Sequence, residues 1–77
     1  IDINQNQIEE IHILSKKLLN KYKDELSSCT PSSLSASFIY YYINLNNLKI
    51  SKKELSDNTN ISIVTIQKIV NLLINLE

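Results

Sequence analysis

Gln67, Lys68 and Asn71 stand close together near the end of the chain, at spacings that a helix would turn to one side. An amide such as Gln67 can read a base edge in a duplex groove, and an ammonium such as Lys68 can meet a phosphate. Val64, one turn earlier, can pack against a thymine methyl, and Ser62, Ile63 and Thr65 surround it at the start of the same stretch. Lys52 and Lys53 lie upstream and are candidates for contact with a nucleic-acid backbone. The plainer reading of all these residues is a solvated helix surface. Lysine at the positive end of a helix dipole is slightly unfavourable, which tips Lys52 and Lys53 toward contact.

Other chemistry is sparse. Cys29 is the only cysteine and His12 the only histidine, which excludes an internal disulfide and any zinc site built from Cys and His clusters. A nucleophilic Cys29–His12 pair would need a third orienting group and an oxyanion feature, and neither is identifiable. No enzyme, cofactor or small-molecule substrate is expected. Tyr40, Tyr41 and Tyr42 resemble a stacking platform for bases, yet helical spacing spreads them around an axis, so core packing is expected instead.

Charge gives a divided answer. Eight lysines balance eight acids over the 77 residues, and arginine is absent. Within Lys49 to Asn71, however, Lys49, Lys52, Lys53 and Lys68 face only Glu54 and Asp57. No run approaches the roughly 20 apolar residues of a membrane span, and no signal peptide opens the chain. A reducing, intracellular setting is therefore expected, and Asn60-Ile61-Ser62 reads as a chance glycosylation sequon. Because Ile1 rather than methionine comes first, the chain is expected to be part of a longer protein.

The elements that must position these residues read as all-α, one domain over residues 1–77. Ile8, Ile11, Ser15, Leu18, Leu19, Tyr22 and Leu26 recur at three- and four-residue steps and predict a first helix from Ile8 to Leu26. Thr30 and Pro31 are an N-cap and first-turn pair opening a second helix to Leu45. Its Phe38–Ile43 portion is apolar or aromatic on every side, which places it centrally, and Ser35, Ala36 and Ser37 allow close approach. Ser51-Lys52-Lys53-Glu54 has the capping-box form and predicts a short helix from Lys52 to Asp57. A polar turn at Asn58-Thr59-Asn60 follows, with Asn60 suited to a left-handed backbone. Ser62 then caps a last helix to about Leu76, its inward face formed by Ile66, Ile69, Val70, Leu73 and Leu76.

Two short helices joined by a tight turn match a helix-turn-helix over residues 51–76, in which the second helix enters the major groove and the first braces it. Leu55 faces the core, Ser56 permits close crossing, Asn60 turns the chain and Ile61 plugs the gap, while Ile66 and Ile69 hold the second helix down. The same pattern also occurs in helical proteins that never touch DNA.

Pro31 to Tyr40, Ser51-Lys52-Lys53-Glu54-Leu55 and Ile61 to Gln67 together resemble the second cyclin-like repeat of the transcription factor IIB family. The most specific part is Val64-Thr65-Ile66 placed after the capped helix, and the likeness spans about Gln7 to Leu73. It implies a partial cyclin-like fold of about four helices, the family's second to fifth. It also implies partners: promoter DNA, a TATA-box-binding protein and RNA polymerase. The positions it implies for reading DNA are Val64, Thr65 and Gln67. Where the family often carries arginine this chain has Gln67, so either the base preference moves from guanine to adenine or base reading is lost. The compartment implied is the nucleus in a eukaryote, or otherwise the cytoplasm or a viral factory. Two alternatives stand beside this: a cyclin-like protein-interaction scaffold without sequence-specific DNA binding, and an ordinary helix-turn-helix regulator.

Overall fold

Four helices follow one another in the computed structural model, which describes residues 4–77: α1 (Gln5–Lys21), α2 (Pro31–Leu45), α3 (Lys52–Thr59) and α4 (Ile63–Leu76). The described residues contain no strand, so the chain is all-α.

Each helix starts where a side chain can satisfy an otherwise unpaired backbone N–H. Asn4 accepts from Gln7 N at 2.8 Å while Gln7 Oε1 accepts from Asn4 N at 3.1 Å, a complete reciprocal box. That box starts α1 three residues before the Ile8 expected from apolar periodicity, because neither Asn4 nor Gln7 carries an apolar signal. Thr30, Ser51 and Ser62 cap α2, α3 and α4, accepting from Ser33, Glu54 and Thr65 N–H groups respectively, though the box expected at Ser51 and Glu54 forms only in this half.

Two helix ends differ from the sequence reading. α1 stops at Lys21 rather than Leu26, and a run of turns carries the chain through Asp24 and Glu25. Two carboxylates at the negative end of a helix dipole disfavour its continuation. Leu26 nevertheless keeps its inward place, since its N–H bonds to Tyr22 O at 3.0 Å and its side chain is buried. α3 runs two residues past Asp57. Thr59 Oγ1 and Asn58 Nδ2 donate back to Leu55 O and Glu54 O at 2.8 Å each, which ties both added residues to the preceding turn.

α2 is the hub, packing on α1, α3 and α4, whereas the backbone of α1 approaches α2 alone among the helices. Phe38 and Tyr41 of α2 share one buried cluster with Leu18, Tyr22 and Leu26 and with Leu55, Ile66, Ile69, Val70 and Leu73. Ala36 and Ser37 are fully covered, and the Ser37 hydroxyl is satisfied by donating to Ser33 O at 2.7 Å. Burial of such Leu, Ile, Val and Phe side chains stabilises by about 1.5–3 kcal/mol each. α3 has a single one, Leu55, so its place in the fold hangs on that residue.

Tyr22, just past α1, ties the end of α1 to the end of α4: its hydroxyl lies 2.9 Å from Leu76 O and 2.5 Å from Glu77 Oε2. Lys21 adds an ion pair to the same carboxylate at 3.0 Å. Between α1 and α2 lies an apolar groove of about 430 Å³ floored by Phe38 and edged by Ile8, Ile11, Leu19 and Ile39. Ile8 and Leu19, two of the apolar positions that predicted the first helix, are exposed on its rim. Among the described residues no single helix is long and apolar enough to cross a membrane.

Candidate nucleic-acid interface

The α3–α4 corner is built by its turn. Asn60 adopts a left-handed conformation with φ 59° and ψ 23°, and its N–H returns to Ser56 O at 2.8 Å. Asparagine tolerates this region because its short polar side chain relieves part of the steric cost that other residues suffer. The Ser56 hydroxyl donates to Ile61 O at 2.6 Å, so the residue expected only to be small also fastens the turn to the helix before it. Ile61 is half-buried and packs on the core. Across the break the axes of α3 and α4 bend by 114°.

α4 is divided into two faces. Ile66, Ile69, Val70 and Leu73 are buried, while Val64, Lys68, Asn71 and Asn75 form an exposed row on the opposite side. Val64 is 77% exposed, the largest value among the exposed large apolar residues that the structure describes. Ile63 is also exposed at the first turn. Ser62 and Thr65 spend their hydroxyls on each other: Ser62 Oγ accepts from Thr65 N at 3.2 Å and donates to Thr65 Oγ1 at 2.8 Å. Their first task is therefore to start α4 at this angle.

Gln67 is half-buried at the edge of the row and is bonded at both ends of its amide. Lys52 Nζ, from the first turn of α3, donates to Gln67 Oε1 at 2.5 Å, and Gln67 Nε2 donates to Asn71 Oδ1 at 2.7 Å. The Lys52 ammonium also lies 5.9 Å from the centre of the Tyr40 ring, within reach of a cation–π attraction. Lys53 and Lys68 are exposed. Of the residues singled out from the sequence, Lys52, Gln67 and Asn71 are joined in one chain, Ser62 and Thr65 in a cap, and Val64 and Lys68 stand on the open row. Lys53 makes no bond with any of them.

Sequence reasoning missed Asn75 and the link between Lys52 and Gln67. The first had a signal: Asn75 follows Asn71 by four residues and Lys68 by seven, the spacing of one helical face. The second had none, since the two residues meet only because the corner folds as it does. On the other flank of α4 a depression of about 560 Å³ lies between Thr65 and Lys68 and the start of α2 at Cys29, Thr30 and Ser33. Cys29 lines that depression whereas His12 lines the α1–α2 groove, so the chain's only thiol and only imidazole serve different surfaces.

Comparison with protein-family models, curated proteins and solved structures returned no match for this chain.

Proposed function

We propose that this chain is a DNA-docking module of a basal transcription initiation factor, a partial cyclin-like repeat of the transcription factor IIB type whose α3–turn–α4 corner acts as a helix-turn-helix. In this reading α4 lies in the major groove, α3 braces it, and Lys52, Lys53 and Lys68 meet phosphates. The partners are promoter DNA, a TATA-box-binding protein and RNA polymerase, and the setting is the nucleus in a eukaryote, or otherwise the cytoplasm or a viral factory.

The observation that carries the reading is the bond from Lys52 to Gln67, because it sets the basic start of α3 against the edge of the exposed row of α4. The 114° bend adds support, since helices of this motif cross at about 90–120°. A row of one lysine, two amides and one aliphatic residue is suited to a groove that offers phosphates, base edges and methyl groups.

The test is fluorescence anisotropy of the chain on a labelled duplex at low salt. Binding that Lys52→Glu and Lys68→Glu each weaken strongly supports the reading. Binding absent from the parent chain and from a longer chain tested with polymerase-side partners would overturn it. The apolar α1–α2 groove favours a second reading, a scaffold that holds an amphipathic helix of a partner protein. On that reading the two charge reversals leave function intact.

A further inference from the structure

Within the proposed docking on DNA, we infer that Asn71, oriented through Gln67 by Lys52 and continued by Val64 and Asn75, reads A·T base pairs in the major groove.

The orientation follows from donors and acceptors alone. An ammonium only donates, so Gln67 must turn its carbonyl Oε1 toward Lys52, and its Nε2 faces the other way. That Nε2 only donates, so Asn71 must present Oδ1 to it. One lysine thus fixes the sense of two amides in succession. Tyr40, beneath the ammonium, holds the origin of the chain against α2. What remains open on Asn71 is its Nδ2, with two N–H donors, and one lone pair of Oδ1.

That pattern suits adenine, which shows an N6 donor beside an N7 acceptor, better than guanine, which shows two acceptors. The residue that best grips guanine is arginine, and the chain has none. Gln67 has both ends of its own amide engaged, with one N–H and one lone pair left over, and becomes a positioning residue. Val64, highly exposed and aliphatic, matches the thymine methyl on the other side of an A·T pair. Asn75 extends the row one turn beyond Asn71 with a second amide. From Val64 to Asn75 the helix rises about 16 Å, the length of about five base pairs. Lys68 is the one group on the row able to favour guanine. With Asn71 and Asn75 it also lines the depression beside Thr30 and Ser33.

The test is selection from a randomised duplex library with the full 77-residue chain, followed by anisotropy on the selected duplexes and on G·C-substituted versions. The expected outcome is an A·T-enriched pool of about five base pairs, with a preference of tenfold or more. Asn71→Asp keeps an acceptor for Gln67 but removes the outward N–H donors. It should abolish the adenine preference at one position and move it toward cytosine, whose N4 donates. Gln67→Met breaks the relay while keeping the stem, and should lower discrimination with the salt dependence of binding unchanged. A pool without base bias, or one rich in G·C, in a chain that still binds duplex in a salt-sensitive way, would overturn this inference and leave the docking reading standing. Absence of any duplex binding would remove both.

Discussion

Leu55→Ala should release α3 from the fold. Leu55 is completely covered and is the only buried residue of that eight-residue helix, whose remaining buried area comes from half-covered Lys52, Ser56 and Thr59. Cutting a buried leucine to alanine costs about 3–5 kcal/mol, from lost transfer energy and the cavity left behind. A domain of this size has about 4–12 kcal/mol in total. The change therefore removes from about a quarter to all of its stability. A loss of about 3 kcal/mol lowers the melting temperature of such a domain by about 12–24 °C. Urea denaturation followed by circular dichroism measures the loss, and amide exchange of Ser56 to Asn60 shows whether α3 opens first. Leu45→Ala, at a site 58% exposed, serves as the control and should change stability by less than about 0.5 kcal/mol. If Leu55→Ala stays within about 1 kcal/mol of the parent and its α3 amides exchange no faster, the claim that one residue anchors the corner is wrong.

Three further outcomes are expected. Asn60→Val should cost about 1–2 kcal/mol because the left-handed backbone crowds its Cβ branch, while Asn60→Gly should be close to neutral, both read by thermal melting. Ser62→Ala should cost about 1 kcal/mol and fray the first turn of α4, seen as lost exchange protection at Thr65. The Tyr22 hydroxyl, and after it Lys21, hold the Glu77 carboxyl below its ordinary range. Its contribution is thus present above the unfolded-state value of a glutamate and fades as pH falls through the lower folded value. Carboxyl NMR titration should show that depressed midpoint and its return toward normal in Tyr22→Phe. The effect on stability is small because the pair is open to solvent.

Helix number, three of the four caps and the central place of α2 were legible because each rests on local chemistry. A hydroxyl before an apolar run marks a start, and a stretch without polar residues must be surrounded. The left turn at Asn60 was legible for the same reason. The start of α1 was hidden because amide pairs such as Asn4 and Gln7 cap helices without any hydrophobic mark. Its end was misplaced because Tyr22 and Leu26 keep helical spacing across a run of turns. On α4, Gln67, Lys68 and Asn71 could be assigned to one outer face from periodicity, and the structure keeps Lys68 and Asn71 exposed there while Gln67 sits half-buried at its edge. That both ends of the Gln67 amide are engaged could not be read this way, because Lys52 reaches it only through the 114° corner. The exposed rims of the α1–α2 groove were likewise invisible, since amphipathic spacing reports which side of a helix is apolar and not whether a neighbour covers it.

The salt dependence of duplex binding tests the central claim most directly. If Lys52, Lys53 and Lys68 meet phosphates, log Kd plotted against log salt concentration should rise with a slope of about 3, falling by about 1 for each lysine replaced by alanine. Binding with no salt dependence, or a slope that the three replacements leave unchanged, would contradict docking through the α3–α4 corner.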